Sequence, residues 1–166
     1  MENKAFTLRN PVSLLRELVT DCKVSAGFLD APDNNAVKFL PYKAIWDTGA
    51  TNSVIDKKVA EELGLIPNGI RQVYHANGSE RVNSYKVNIV LPNNIMVQMV
   101  NVTEGDLNGA QVLIGMDIIS LGDFALTHRN NGTVFSFQVP STHEYDFVKQ
   151  IQREREEQKT KRKKRR

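Results

Sequence analysis

Short apolar runs with a two-residue period, each closed by a turn signal, recur along most of the chain. Such runs predict β-strands, because successive side chains of a strand point to opposite faces. We expect strands in TDCKVSAGF, AVKFLPYKAIW, NIMVQMVNVTEG and QVLIG, and hairpins in RQVYHANGSERVNSYKVNIVL and FALTHRNNGTVFSFQV. The pairs Asn77-Gly78 and Asn131-Gly132 predict the two hairpin turns.

A helical period appears in fewer places. Apolar residues of SVIDKKVAEELGL recur at helical spacing, and Gly64 predicts the end of that helix. DIISLGDF predicts one or two helical turns, and NPVSLLREL predicts either a short helix capped by Asn10 or an entry into a strand. Together these elements predict a mostly β domain with one or two short helices.

One acidic residue lies between an apolar strand and a turn of small residues, in AIWDTGATNSVID. The run AIW leads to Asp47, Gly49 permits a sharp backbone bend, and Thr48 offers a hydroxyl to tie the turn down. Two interpretations follow: Asp47 forms a turn in an inert β domain, or it is a catalytic carboxylate. The later run VLIGMDII is expected to pack beside this loop, with Gly115 permitting close backbone approach and Asp117 capping a helix.

The size and composition favour one folded domain. The chain has 166 residues and 40% hydrophobic content, enough for a single core. Its apolar runs are shorter than the about 20 residues of a membrane span, and MENKAFTLRN lacks the features of a signal peptide. Cys22 is the single cysteine, which excludes an internal disulfide framework and favours a cytoplasmic location. The three histidines lie far apart, so we expect no metal site and no cofactor.

The positive charge is concentrated at the C-terminus. Residues 152–166 contain nine Lys or Arg and three Glu, whereas the whole chain has a net charge of only +3. We therefore divide the chain into a domain at 1–140 and a helical, basic tail at 141–166, with Ser141 and Glu144 spaced as a capping box. Such a tail either is simply solvated or binds nucleic acid or an anionic surface by counterion release.

Two motifs resemble the retropepsin family, the single-domain aspartic proteases of retroviruses and their cellular and bacterial relatives. They are DTGATNSVI and, some seventy residues later, VLIGMDIIS, and the resemblance extends over residues 22–139. It implies a closed β-barrel that carries Asp47 on a loop at a two-fold axis, supported by Thr48, Gly49 and Ala50. It also implies that the hairpin tipped at Asn77 and Gly78 is a flap that closes over an extended peptide substrate.

Peptide hydrolysis of this kind requires two carboxylates, one to accept a proton from water and one, protonated, to polarise the scissile carbonyl. The chain contains a single Asp-Thr-Gly. We therefore expect a homodimer in which each subunit supplies its Asp47. The alternative is a non-catalytic dimerisation or peptide-binding module on the same fold, with a tail that binds nucleic acid.

The chain departs from the retroviral pattern at two positions. Retroviral members usually have an acid directly after Asp-Thr-Gly-Ala and an arginine directly after the later glycine, and the two form an ion pair. Thr51 and Met116 stand at these positions. Because both charges are missing together, the sequence is nearer to the cellular and bacterial relatives.

Overall fold

The computed structural model describes residues 2–30, 37–75 and 78–164. Within these residues the strands are β1 (Lys4–Asn10), β2 (Val19–Ala26), β3 (Leu40–Trp46), β4 (Val54–Asp56), β5 (Gly69–His75), β6 (Gly78–Leu91), β7 (Ile95–Gly105), β8 (Val112–Ile114), β9 (Asp123–Arg129) and β10 (Gly132–Val139). The helices are α1 (Lys57–Glu62), α2 (Met116–Ile119) and α3 (Phe147–Lys164), and a 3₁₀ turn connects β6 to β7.

Six strands form a closed barrel in the order β2-β3-β8-β4-β7-β6, and a second pairing of β6 with β2 completes it. The predicted closed, mostly β fold is therefore confirmed. Branched apolar side chains fill the barrel, and Val24, Ile55, Val87, Val112 and Ile114 are fully buried. The domain has the two short helices α1 and α2, and the tail forms the 18-residue helix α3.

Strand β8 lies between β3 and β4 and brings two distant loops together. It runs parallel to β3, with Trp46 beside Ile114, and antiparallel to β4, with Val54 beside Leu113. The residues that follow β3 and those that follow β8 therefore leave the barrel side by side.

A three-stranded sheet, in the order β1-β10-β9, packs against the barrel through aromatic side chains. The ring of Trp46 lies 4.9 Å from that of Phe137 and 5.1 Å from that of Phe135, measured between centroids. Its indole nitrogen donates a hydrogen bond to the Thr20 hydroxyl at 3.0 Å. Trp46 is thus a core residue with its one polar atom satisfied, and it fixes the end of β3.

The helix predicted within SVIDKKVAEELGL forms over Lys57–Glu62. It starts later than expected, since Asp56 caps it by accepting a hydrogen bond from the Lys58 amide at 3.0 Å. Gly64 follows with φ +60°, the left-handed conformation predicted for a helix end. The helix alternative for NPVSLLREL is wrong, because Asn10 ends β1 and its side chain accepts hydrogen bonds from the Val12 and Ser13 amides.

The tail begins differently from its prediction. The capping box is wrong: α3 starts at Phe147 and is capped by Asp146, whereas Ser141 donates a hydrogen bond to Asp123 at 2.6 Å. Asp123, which lies in β9, also accepts from the amides of Thr142 and His143. The Ser141 hydroxyl and these amides hold the pKa of the Asp123 carboxyl well below its usual range. No helix in the described residues is long and apolar enough to cross a membrane.

Candidate active site

Asp47 directly follows β3, and its own loop orients its carboxylate. The Asp47 amide donates to the carbonyl of Ile114 at 2.9 Å, which continues the β3–β8 pairing by one residue. The Gly49 amide donates to Asp47 Oδ1 at 2.8 Å, and the Ala50 amide donates to the Asp47 carbonyl at 3.3 Å. A side chain at Gly49 would place its Cβ 3.2 Å from Asp47 Oδ1, so glycine permits this tight turn.

The outer oxygen of the same carboxylate is available. Asp47 is only partly buried, and within the described residues of the single chain Oδ2 accepts no hydrogen bond. A carboxylate held through one oxygen and open at the other can bind a water or a second carboxyl group. Thr48 is exposed, and its hydroxyl likewise has no hydrogen-bond partner in the described part of this chain.

Helix α2 supports the loop that follows Asp47. The amide of Met116 donates to the Ala50 carbonyl at 2.8 Å, and the amide of Asp117 donates to the Thr51 carbonyl at 3.1 Å. These bonds also use two amides of the first helical turn, which have no partners within a helix. Ala50 therefore supports the Asp47 loop through its backbone.

A buried serine joins the two loops further. Ser53 Oγ donates to Asp117 Oδ1 at 2.7 Å and accepts from the Gly115 amide at 3.1 Å. Asp117 is not the N-cap of α2, as the sequence suggested: Gly115 occupies the N-cap position, and Asp117 lies in the first turn. Thr51 bonds through its carbonyl to the Asp117 amide and Met116 bonds through its amide to Ala50, so no ion pair joins the loops at these two positions. The side-chain bond between the loops is the one from Ser53 to Asp117.

Gly115 allows the loops to touch. A Cβ at this position would lie 2.6 Å from the carbonyl carbon of Asn52 and 2.7 Å from its oxygen, distances that no side chain tolerates. The obstructing atoms belong to the backbone, so they cannot swing away. The close approach expected at Gly115 thus occurs against residues 52 and 53.

A cleft of about 620 Å³ lies between this loop and the β5–β6 hairpin. Its lining comes from residues 49–52 and 54 of the loop, residues 71–74 and 84 of the hairpin, and residues 101–103 of β7. The hairpin pairs from Gly69 with Ser84 to His75 with Gly78, and its two strands are as predicted. Gly78 is exposed, with φ +130°, whereas Asn77 lies outside the described residues.

Glu104 of β7 anchors the base of the hairpin. It accepts hydrogen bonds from the Asn83 side chain at 2.9 Å and from the Tyr85 hydroxyl at 2.7 Å. Burial and this bond to Glu104 raise the pKa of Tyr85 to about 12, so the hydroxyl stays protonated as a donor at all physiological pH values.

The comparisons with known proteins agree with this geometry. Residues 36–120, about half of the chain, match the family model described as "gag-polyprotein putative aspartyl protease". The chain belongs to this retropepsin-like aspartyl protease family. The family match includes Asp47, Gly115 and both faces of the cleft. A comparison with curated proteins found no significant match.

A solved structure of low sequence identity resembles this chain in fold. A retropepsin-like aspartic protease from Rickettsia conorii superposes with a TM-score of 0.52 at 16% identity, covering 83% of this chain and 96% of its own. The retroviral protease-like domain of Ddi1 from Leishmania major gives 0.43 at 18% identity, covering 80% and 99%. Simian Foamy Virus (mac) protease gives 0.41 at 14% identity, covering 60% and 89%.

Sequence reasoning missed the Ser53–Asp117 bond and the position of Arg71 in the cleft. The alternation of residues in this hairpin could have indicated the face on which Arg71 lies, because it places Arg71 and Val73 on the same side of the strand. Nothing in the sequence indicated that Ser53 would reach Asp117. No group of three or more His, Cys, Asp or Glu in the described residues is arranged to hold a metal ion.

Proposed function

We propose that the protein is an aspartic endopeptidase that works as a homodimer and hydrolyses peptide bonds in an extended substrate. The observation that supports this most strongly is Asp47, whose carboxylate is held by the Gly49 amide at one oxygen and is open at the other, beside a cleft. The chain has no second Asp-Thr-Gly, so the partner carboxylate comes from a second copy. One Asp47 then accepts a proton from water while the other, protonated, polarises the scissile carbonyl.

Supporting roles follow from the geometry. Thr48, whose hydroxyl has no partner in the described part of the chain, links the two catalytic loops across the dimer. The Gly49 amide holds the Asp47 carboxylate, and the Ala50 amide holds the Asp47 backbone carbonyl. Gly115 permits the contact between the loop and α2. Asn77 and Gly78 form the tip of a flap that closes over the peptide. The protease domain comprises residues 1–140, and we keep the cytoplasm as the expected location.

The alternative function is a non-catalytic module on this fold whose tail binds nucleic acid or another anionic surface. One observation favours a binding role for the tail of residues 141–166: α3 extends over 18 residues, and its described side chains are exposed. Nine basic and three acidic residues in the last fifteen give the tail a strong positive charge. This role is compatible with catalysis by the barrel.

A peptide-library assay tests the proposal. The purified protein is incubated with the library from pH 3 to 7, and sedimentation at micromolar concentration checks for a dimer. We expect a bell-shaped pH dependence with an acidic optimum, since one carboxyl must be ionised and the other protonated.

Two variants control this assay. Asp47→Asn keeps the side-chain shape but removes the base, so cleavage should disappear. Asp21→Asn is the matched control, since it removes an equally sized carboxylate from an exposed ion pair with Lys43 on the barrel surface. Equal cleavage by parent and Asp47→Asn, or a strict monomer at millimolar concentration, contradicts the proposal.

A further inference from the structure

The described lining of the cleft carries a positive charge. Its lining consists of small, apolar and neutral polar residues together with one charged side chain, Arg71 of β5. The neutral polar members include Asn52, Ser84, Asn101 and Thr103, which supply hydrogen-bonding groups without a negative charge. Within the described lining, no carboxylate neutralises the guanidinium.

The strand register places Arg71 on the inner face of the hairpin. Arg71 pairs with Val82, and Gly69 pairs with Ser84, so these four positions share one face. Val82 and Ser84 are 6% and 4% exposed, which identifies this face as the one turned towards the body of the domain. Glu80, opposite Val73, lies on the same face but does not line the cleft.

The opposite face of the hairpin carries a second arginine. Gln72 pairs with Arg81, and Tyr74 pairs with Ser79. Gln72 donates a side-chain hydrogen bond to Ser79 at 3.1 Å, a contact that requires both residues on one face. Arg81 therefore lies on the face opposite to Arg71 and does not line the cleft, although Gln72 and Tyr74 of that face do.

An extended peptide bound in the cleft presents alternate side chains to its walls. A guanidinium has five N–H donors in a planar fork that matches a carboxylate, and charge-assisted bonds of this type are about twice as strong as neutral ones. A lysine at the same substrate position would meet a like charge. The cleft thus distinguishes side chains by their charge.

We propose that Arg71 makes this cleft selective for an acidic side chain, Glu or Asp, near the scissile bond of the substrate. The inference rests on the proposed peptidase function and names its substrate class. Arg71 is a specificity-determining residue, and it takes no part in the chemistry of Asp47.

The test measures binding, so that its result does not depend on catalysis. The probes are short unstructured peptides in which each position in turn is Glu, Gln or Lys. The affinity of each peptide for the Asp47→Asn protein is measured. At one position we expect Glu to bind about tenfold more tightly than Gln, and Lys to bind more weakly still. The preference should decrease as salt increases, because the pair is partly solvated.

Three further variants, each combined with Asp47→Asn, assign the effect to Arg71. Arg71→Met should remove the difference between Glu and Gln, and Arg71→Glu should make Lys the preferred residue. Arg81→Glu changes the net charge equally on the outer face of the hairpin and should keep the preference for Glu. Melting temperatures of all variants show whether each one is folded.

The inference is overturned if Arg71→Glu leaves the ranking unchanged, if Arg81→Glu alters it equally, or if none of the peptides binds. These results are separate from failure of the proposed function. Cleavage by the parent without any acidic preference contradicts the inference alone. A preference that depends on Arg71, in a parent that cleaves no peptide of the library, contradicts the peptidase function alone.

Discussion

Replacing Ser53 by alanine tests whether the contact between the two loops stabilises the site. Ser53 is fully buried, and its hydroxyl makes two hydrogen bonds, to Asp117 at 2.7 Å and from the Gly115 amide at 3.1 Å. Alanine leaves the buried Gly115 amide without its acceptor, which costs about 1–3 kcal/mol. Asp117 loses one donor but keeps its bond from the Ile118 amide at 3.0 Å. We expect Ser53→Ala to lower the free energy of unfolding by about 2–3 kcal/mol.

The assay is thermal and urea unfolding at one fixed protein concentration, since dimerisation makes the melting temperature depend on concentration. For a chain of this size the expected loss corresponds to a decrease of roughly 5–10 °C in melting temperature. Ser25→Ala is the matched control: Ser25 is equally buried but donates only to the neighbouring Ala26 carbonyl, at 2.9 Å. Its loss should be near 1 kcal/mol.

The two serine variants should also differ in cleavage rate. Ser53→Ala loosens the loop that carries Asp47, so it should slow peptide cleavage at temperatures where the protein remains folded. Ser25→Ala should cleave at the parental rate. If Ser53→Ala loses less than about 0.5 kcal/mol, or no more than Ser25→Ala, the bond does not support the loop as we describe.

Three other perturbations have defined outcomes. Gly115→Ala should destabilise the domain by about 1–3 kcal/mol or more in urea unfolding, because the new Cβ would lie 2.6 Å from the backbone carbonyl carbon of Asn52. A variant as stable as the parent would show that the two loops do not meet. The pKa of the Asp123 carboxyl is depressed in the folded protein, so the unfolded chain binds a proton at this group more readily. The ionised carboxylate therefore stabilises the fold fully above about pH 5, and this stabilisation is lost as the pH falls through and below about 4. The melting temperature of Asp123→Asn should therefore decrease less between pH 5 and pH 2 than that of the parent, and parallel curves would contradict this. Truncation after Ile151 should abolish salt-sensitive binding to nucleic acid in fluorescence anisotropy without altering the barrel, and retained binding would place that site elsewhere.

The Asp47 loop and the hairpins could be predicted because their signals are local. The apolar run before Asp47 and the glycine two residues after it lie within a few positions of each other. The Ser53–Asp117 bond could not be predicted, because the two residues are 64 positions apart and meet only when β8 enters between β3 and β4.

One glycine had a different role from the one its sequence context indicated. The second predicted hairpin forms, but its turn consists of Asn130 and Asn131, with φ of 52° and 60°, one residue earlier than expected. Gly132 already pairs with Arg129 in the ladder. A Cβ there would lie 2.8 Å from the carbonyl oxygen of Asn10, so packing against the end of β1 requires this glycine.

Strand β1 was missed although it carries a pattern. Phe6 and Leu8 alternate with polar residues, but the run is short and its partner β10 is near the other end of the domain. Phe6 packs edge-on against Phe135 at 5.6 Å, which stabilises β1 only after the long-range pairing forms. Contacts of this kind have no local signature in a single sequence.

The most direct test of the shared active site mixes two forms of the chain. Parent and Asp47→Asn are combined in equal amounts, unfolded and refolded together, and peptide cleavage is measured at constant total protein. If each active site needs Asp47 from both subunits, random pairing leaves about one quarter of the parental activity. An activity of about one half would mean that each chain acts alone, and would contradict the shared pair of carboxylates.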